Sequence, residues 1–395
     1  MKCGHTIYAW RRVVALTLIA ASLCIAVAAC GSSSSSSSSS TSASNAGATT
    51  SSASGASSQF TPASLTEAKA GIAPFLGQGS PFPLNQPLGF KAPTGKTYVF
   101  MNCGNPECEE YIPGVEAAAK ALGWNVKVLA AGLTPQTVAS AFDAAVQLHP
   151  AGILDPGLDP ILFKPALAKL NAAHIPVIAI AIEEGLGNGI TGELANIPAI
   201  INVGKEMADY VYTQEGNKTN TVFVDIPEIQ LSLSMAQGFV DQLHHLCPSC
   251  SATTLPEPAS TIGSTLPSRE VSYLQQHPNI NWLVNFSGGL FIGVPQALKA
   301  ADIKVKTLDQ SGGPVNMQYL KQGLQTADLA TDNSEWGWFG ADMIMRADHG
   351  GIPASMEGEA PPQRLLTQSD ITFNPSNGWI YPGYQATFEH LWGLG

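Results

Sequence analysis

Short apolar runs alternate with amphipathic stretches over most of the chain, from about residue 96 to residue 367. Residues 97–102 are rich in β-branched and aromatic side chains, as strands are, and residues 111–122 follow with apolar side chains at helical spacing. The same order recurs along the chain. The predicted strands are 97–102, 125–129, 151–155, 175–182, 221–225, 251–255, 282–286, 304–309, 325–331 and 364–367, and the predicted helices are 111–122, 134–148, 161–173, 199–215, 231–246, 268–277, 291–301, 315–322 and 337–349.

This alternation predicts an α/β fold in which parallel sheets carry helices on both faces. A first series of strands and helices ends near residue 182, and a second series begins with the predicted helix 199–215. A body of about 300 residues is large enough for more than one lobe. We therefore predict two similar doubly wound parallel-sheet lobes, although no sequence repeat relates the two halves.

The N-terminus carries the pattern of an export signal. Arg11 and Arg12 supply positive charge, residues 13–27 are apolar, and small residues precede Cys30. A cysteine at this place resembles the bacterial lipobox, in which the thiol receives a lipid. We predict a lipoprotein signal peptide over 1–29 and a lipid on Cys30 that anchors the chain to the outer face of the cell membrane. The alternative is a spanning anchor, but the stretch is short against the roughly 20 apolar residues that a bilayer requires.

The segment after Cys30 has the composition of a linker. Residues 31–59 are almost all Ser, Thr, Ala and Gly, and no large apolar side chain occurs before Phe60. Such a stretch cannot bury enough surface to offset its ordering entropy, so we predict a flexible tether. Its predicted bounds are 30–75, and the folded body begins between Phe60 and Lys96.

The charge balance narrows the classes of partner. The chain has a formal net charge of −11 at pH 7. An acidic protein is repelled by nucleic acid and by anionic lipid surfaces. We therefore expect no nucleic-acid partner, and membrane contact only through the lipid on Cys30.

Cysteine usage fits an oxidising compartment. Two of the seven cysteines leave with the signal peptide, and Cys30 is the predicted lipidation site. An even number then remains, which favours disulfides. Of the three possible connectivities we choose the local one, which pairs Cys103 with Cys108 and Cys247 with Cys250.

The sequence gives little support for enzymatic activity or for metal binding. The Cys247–Cys250 spacing is that of thiol–disulfide enzymes, but it lies at the C-terminal end of a predicted helix, where the helix dipole disfavours a thiolate. No nucleophile elbow, phosphate-binding loop, dinucleotide fingerprint or zinc-protease motif occurs. We predict no catalytic residue, no metal site and no cofactor. Trp336 and Trp338 fit either ligand stacking or core packing.

Several stretches, taken in their order and spacing, resemble the type I periplasmic binding proteins, the sugar-binding group of solute receptors for ABC importers. These stretches are 101–103 with 114–118, 151–156, 174–180, 202–208, 293–298 and 330–337. The resemblance implies two lobes joined by a multi-strand hinge, with a ligand held between them. The predicted first lobe is 76–195 plus 312–366, and the second is 196–311 plus 367–395.

The resemblance also implies where the ligand is bound, because this family uses residues at the carboxyl ends of its strands. We expect Asp155, Glu183, Asp225 and Gln310 to hydrogen-bond the ligand, and Tyr111, Phe286 or Trp336 to supply apolar faces. The full predicted set is Asn102, Glu109, Tyr111, Asp155, Glu183, Asp225, Phe286, Ser287, Gln310 and Trp336.

The chain departs from the sugar receptors at three of these strand ends. Glu183-Glu184 stands where they have an Asp-Arg pair, Phe286-Ser287 where they have Asn-Asp, and 308–311 differs from their Gly-Phe-Asp-Gly. Arginine gives bidentate recognition of hydroxyls and carboxylates, so its absence disfavours a carboxylate ligand. A polyol, a neutral sugar derivative and a cationic solute all remain open.

The function predicted from the sequence is therefore a lipid-anchored, monomeric solute receptor. It captures a small polar, sugar-like molecule and delivers it to an ABC permease in the membrane. A surface sensor with the same fold is the first alternative, and an extracytoplasmic enzyme is the second.

Overall fold

The structure, a computed structural model, describes residues 59–182, 186–374 and 379–395. The predicted signal peptide, the predicted lipidation site at Cys30 and the candidate ligand residue Glu183 lie outside the described residues. Within the described ranges the predicted alternation of strands and helices is confirmed, and the strands form two sheets.

The first sheet has five parallel strands in the order β2-β1-β3-β4-β5. Strands β3 and β4 are buried at every position, as expected where helices cover both faces of a parallel sheet. The strands are β1 (Thr97–Asn102), β2 (Asn125–Ala130), β3 (Gly152–Asp155), β4 (Val177–Ile180) and β5 (Gly192–Leu194).

The second sheet has six strands in the order β11-β10-β9-β8-β6-β7. All neighbours are parallel except β10 and β11, which run antiparallel from the pair Ala327 and Thr367 to the pair Thr331 and Gln363. The strands are β6 (Asn220–Asp225), β7 (Ser251–Pro256), β8 (Trp282–Asn285), β9 (Lys306–Gln310), β10 (Ala327–Thr331) and β11 (Gln363–Thr367).

The helices cover both sheets. Those of the described residues are α1 (Pro62–Ile72), α2 (Pro106–Leu122), α3 (Pro135–Leu148), α4 (Lys164–Ala172), α5 (Ile197–Glu215), α6 (Gln230–Leu246), α7 (Leu266–Gln276), α8 (Val294–Ala300), α9 (Pro314–Lys321), α10 (Glu335–Asp348) and α11 (Tyr384–Leu391). Helices α2 and α3 pack on the first sheet, α6 on β6 and β7, and α9 on β10 and β11. We call each sheet with its helices the first and the second lobe.

Helix α10 follows a strand of the second sheet but packs against β3, β4 and β5 of the first. The Tyr98 hydroxyl donates a hydrogen bond to the carbonyl of Gly337 (3.0 Å), and Ile344 lies directly over Gly152. The chain therefore passes between the lobes after β5, after β10 and again before β11. The predicted fold class, two α/β lobes built on parallel sheets, is confirmed.

The structure differs from the predicted lobe boundaries within the range 312–366, which was predicted for the first lobe. Strands β10 and β11 lie mainly in this range, yet both belong to the second sheet. The reason is that β10 continues the parallel pairing of β9, with Ala327 opposite Leu308. The chain crosses to the first lobe at the start of α10, and the residues after this helix also contact β5, where the Gly358 N–H donates to the carbonyl of Glu193 (2.8 Å).

The folded part also begins earlier than the predicted tether boundary at residue 75. Helix α1 packs against α5 and α6, and it buries Ala68 and Ile72. The ring of Phe60 meets Tyr212 edge-on, with ring centroids 6.0 Å apart. These apolar side chains pack against the folded body. Residues 62–75 therefore belong to that body and not to the tether.

The C-terminal tail packs across the hinge. Trp392 on α11 stacks on Trp338 of α10 at 5.1 Å and donates a hydrogen bond from Nε1 to Asp342 Oδ1 (2.9 Å). Trp379 and Ile380 instead join an apolar cluster of the second lobe that includes Met317 and Leu366. The predicted assignment of 367–395 to the second lobe therefore holds for the start of the tail and not for α11. Trp338 belongs to the core.

Some elements were missed or misplaced by the sequence analysis. Strand β5 and helices α1 and α11 were not predicted. Helix α2 begins at Pro106, earlier than the predicted residue 111, because Asn105 caps it by accepting a hydrogen bond from the Cys108 backbone N–H (2.9 Å). The helix ends at Gly123, in the left-handed conformation, as predicted.

Phe388 is expected to hold the tail in place. Its ring is fully buried against Trp338, Phe339 and Trp392. Because truncation leaves a cavity as well as losing burial, Phe388→Ala should lower the free energy of unfolding by about 3–5 kcal/mol. Urea denaturation followed by circular dichroism measures this, with exposed His390→Ala as the control on the same helix. Equal stability of the two variants would show that the tail does not support the fold.

Candidate functional site

A cavity lies between the lobes at the carboxyl ends of the strands. Its volume is about 50 Å³. The first lobe contributes the start of α2 and the loops after β2 and β3, and the second contributes the loops after β6 and β8. The lining residues are Cys103, Asn105, Glu107, Cys108, Tyr111, Leu133, Pro156, Gly157, Leu158, Asp159, Leu162, Glu228, Ile229, Leu231 and Phe286.

A wider groove continues from this cavity toward the surface. Its volume is about 810 Å³, and it shares Cys103, Asn105, Leu133 and Glu228 with the cavity. The other lining residues are Gly104, Pro106, Glu109, Thr134, Pro135, Ala259, Ser260, Ile262 and Gly263. The shared residues make the inner cavity and the outer groove one continuous space.

The loop between β1 and α2 is held by local bonds. Cys103 and Cys108 form a disulfide, the pairing chosen in the sequence analysis, and Cys247 pairs with Cys250 in the same way. Asn102 Nδ2 donates to Glu109 Oε1 (2.7 Å). These bonds fix the start of α2, which points its first turn into the cleft.

Glu107 on this first turn reaches across to the second lobe. The Tyr111 hydroxyl donates to its Oε1 (3.5 Å), and Ser287 and Ser311 of the second lobe lie close to its carboxylate. A side chain on Gly289 would lie 3.3 Å from the Glu107 backbone nitrogen, so the lobes touch here. Burial raises the pKa of Glu107 to about 7, against the opposing effect of the three hydroxyls.

A second carboxylate of α2 lies in the same contact between the lobes. Glu110 Oε2 accepts a hydrogen bond from Asn333 Nδ2 (2.7 Å). Gly313 lies opposite it, and a Cβ there would come within 1.8 Å of the Glu110 carboxylate, which would have to shift. Burial, reinforced by the charges of Glu107, Asp328 and neighbouring Asp332, raises the pKa of Glu110 to about 8.

Asp309 and Asp328 form a buried carboxyl pair behind this contact. Asn316 Nδ2 donates to Asp309 Oδ2 (2.8 Å), and Gln325 also donates to Asp309. Burial is the main cause that raises the pKa of both carboxyls, and their mutual repulsion adds to it for Asp309. The two residues lie opposite each other on the paired strands β9 and β10.

The structure brings some of the predicted ligand residues to the cleft. Tyr111 and Phe286 line the inner cavity, and Glu109 lines the outer groove. Asn102 is bonded to Glu109, and Ser287 contacts Glu107. These residues form one connected region at the cleft mouth and its inner end.

Other predicted residues lie elsewhere. Asp155 Oδ1 accepts hydrogen bonds from the Gly157 and Leu158 backbone N–H groups, so it shapes the turn after β3. Asp225 lies at the end of β6 and does not line the cavity. Gln310 and Trp336 line a separate pocket of about 210 Å³ on the hinge.

The predicted ligand set does not include Glu107, Asp159 and Glu228, although all three follow strands whose carboxyl ends face the cleft. Asp159 Oδ1 accepts from the Ile161 N–H (2.9 Å), and Glu228 Oε2 accepts from the Ala259 N–H (3.3 Å). The Asn105-Pro106 pair is a helix-start pattern, and it would have placed Glu107 on the first turn of α2.

No described helix has the length and apolar character needed to cross a membrane. In the same residues, no group of three or more His, Cys, Asp and Glu side chains is arranged to hold a metal ion.

Comparison with known proteins identifies the family. The model of the periplasmic binding protein domain matches residues 98–350, well over half of the chain. The chain belongs to the periplasmic binding protein domain family. No curated protein sequence matches it.

Solved structures of periplasmic binding proteins share the fold. The glucose-galactose binding protein GanP of Geobacillus stearothermophilus has a TM-score of 0.61 at 16% identity, over 71% of this chain and 99% of that one. A solute-binding protein of Actinobacillus succinogenes with bound D-allose has a TM-score of 0.61 at 17% identity, covering 70% and 99%. A carbohydrate transporter of Acidothermus cellulolyticus in complex with myo-inositol scores 0.59 at 16% identity, covering 76% and 100%.

We expect the stability of this periplasmic binding protein to depend on pH, because of the carboxylates between its lobes. Glu107 and Glu110 have pKa values raised from 4.5 to about 7 and about 8. The folded state therefore binds more protons than the unfolded state, and the free energy of unfolding should fall as pH rises from about 4.5 through 8. Thermal melts across this range test the sign.

Glu110→Gln should flatten this decline, since it removes one of the groups that take up a proton on folding. The matched control is Glu116→Gln, an exposed residue on the same helix. The idea would be contradicted by parallel melting curves for wild type and Glu110→Gln over the whole pH range.

Proposed function

We propose that this chain is a lipid-anchored extracytoplasmic receptor that captures a small polar, sugar-like solute and delivers it to an ABC importer. The observation that carries the proposal is the cavity between the lobes at the carboxyl ends of parallel strands, where doubly wound sheets bind ligands. Residues of both lobes line it, so hinge closure would bury a bound molecule.

The family supports the kind of ligand. Relatives of the same fold are described as glucose-galactose binding, or carry D-allose or myo-inositol. The inner cavity adjoins the outer groove of about 810 Å³, and the two together give room for a small polyhydroxylated molecule. Phe286 and Tyr111 offer apolar faces for such a ring. We infer that the chain binds this molecule and releases it chemically unchanged.

The membrane steps of the proposal rest on the sequence. The small residues before Cys30 and the basic pair Arg11 and Arg12 support lipidation at the outer face of the membrane. An ABC permease is the proposed partner, because solute receptors of this family serve such importers. A monomer is the proposed working state.

A thermal-shift screen of the purified full chain tests the proposal. The panel contains D-glucose, D-galactose, D-allose, myo-inositol and allitol, with amino acids and nucleosides as other classes. A ligand at 100 times its dissociation constant should add about 2.7 kcal/mol of stability, which is a shift of a few degrees. Recovery of the compound unchanged supports a receptor. Turnover of the compound, or no shift from any sugar or polyol, would overturn the proposal.

Phe286 should contribute to the affinity for the compound found in that screen. Phe286→Leu keeps an apolar side chain and removes the flat ring, so we expect affinity to fall roughly tenfold in isothermal titration calorimetry. Phe90→Leu is the matched control, because Phe90 stacks on His349, far along the chain from the cavity residues. Unchanged affinity for Phe286→Leu would place the ligand elsewhere.

A further inference from the structure

Among the residues that the structure describes, the cleft is acidic. Glu107, Asp159 and Glu228 line the inner cavity, and Glu109 adds a carboxylate in the outer groove. None of the described residues that line either space is Lys, Arg or His. Any anionic ligand would meet these carboxylates without a compensating cation, so the cleft selects against negative charge.

The side chains of the inner cavity also offer more acceptors than donors. Asn105 uses Oδ1 to cap α2, and the Tyr111 hydroxyl already donates to Glu107. Besides these two, the polar side chains of the lining are carboxylates. A sugar hydroxyl both donates and accepts, whereas an ammonium group only donates. The inventory therefore favours a ligand whose buried polar edge donates hydrogen bonds.

Glu107 is the carboxylate best placed to meet such a group. It lies on the first turn of α2, at the contact between the lobes, beside Tyr111 and within reach of Ser287. Burial with no positive partner is costly for a carboxylate, as its pKa of about 7 reflects. The other two carboxylates each spend one oxygen on a backbone N–H within their own lobe.

The apolar walls strengthen an interaction with a cation. Tyr111 and Phe286 present aromatic rings to the cavity, and Leu158 and Ile229 exclude water from it. An ammonium group is attracted to an aromatic face, and its bond to a carboxylate is stronger where water is excluded. The negative charge of the cleft, its surplus of hydrogen-bond acceptors and its aromatic walls thus all favour a cationic ligand that donates hydrogen bonds.

We propose that the solute is an amine-bearing carbohydrate or polyol, held with its protonated amine against the carboxylate of Glu107. This inference rests on the proposed receptor function and names the chemical class of its ligand. The ring or chain of the ligand lies along Tyr111 and Phe286. Any larger part extends into the outer groove, past Cys103 and Glu228.

Matched pairs of ligands test the proposal by isothermal titration calorimetry on the full chain. The pairs are D-glucose with D-glucosamine, D-galactose with D-galactosamine, and D-mannose with D-mannosamine, with D-allose and myo-inositol alongside. In a pair that binds, the amine should bind roughly tenfold to hundredfold tighter, as a charge-assisted hydrogen bond provides. Glu107→Gln should abolish this preference and retain binding of the uncharged sugar. Glu116→Gln, an exposed change on the same helix, should leave the preference intact.

The outcomes separate this inference from the receptor function. The inference is overturned, and the receptor function stands, if uncharged sugars bind as tightly as their amines, or if only D-allose or myo-inositol binds. It is also overturned if Glu107→Gln keeps the preference for the amine. Both ideas fail if none of these compounds binds. Thermal melts of each variant without ligand show that it is folded.

Discussion

The arrangement of the lobes depends on a buried charge pair in helix α10. Every residue from Glu335 to Arg346 is buried, so this helix has no solvent-facing side on which to place a charge. Arg346 donates from Nε to Asp342 Oδ2 (2.8 Å) and from Nη2 to the carbonyl of Gln86 (2.6 Å). Removing one partner of such a pair would leave an uncompensated buried charge, which is far costlier than the pair itself.

The hydrogen bonds of Asp342 and Arg346 bring together parts of the chain that are distant in sequence. Asp342 also accepts a hydrogen bond from Trp392 on α11, and Arg346 reaches the backbone of Gln86 before β1. The Leu88 N–H donates to the carbonyl of Leu391 (2.9 Å), which joins the same two segments directly. The segment before β1 and the C-terminal tail, both outside or at the edge of the family match of 98–350, are thereby built into the hinge side of the fold. α10 crosses between the lobes, so its fixed position sets the geometry from which the cleft opens.

The fold could be predicted from the sequence more fully than the candidate site could. The periodicity of apolar residues was sufficient for most of the strands and helices, because the inner strands are buried on both faces and most helices bury one face. Strand β5 has only three residues, too short for a period to show, and it owes its place to pairing with β4. Of the site residues, Tyr111 and Phe286 were found because strand ends meet at one sheet edge. Gln310 and Trp336 obey the same rule but face the hinge pocket, since the side chosen by a strand-end residue depends on its local turn.

The start of α2 shows why the electrostatics of the cleft could not be read from the sequence. Glu107 and Glu109 occupy the first turn, where the helix dipole favours an ionised carboxylate. The pKa of Glu107 is nevertheless raised, because burial at the contact between the lobes removes water from its carboxylate. Desolvation by the second lobe therefore outweighs the dipole of the helix. Since that desolvation exists only where the lobes meet, the charge state of Glu107 is tied to cleft closure, and a cation bound beside it would favour the same closed arrangement.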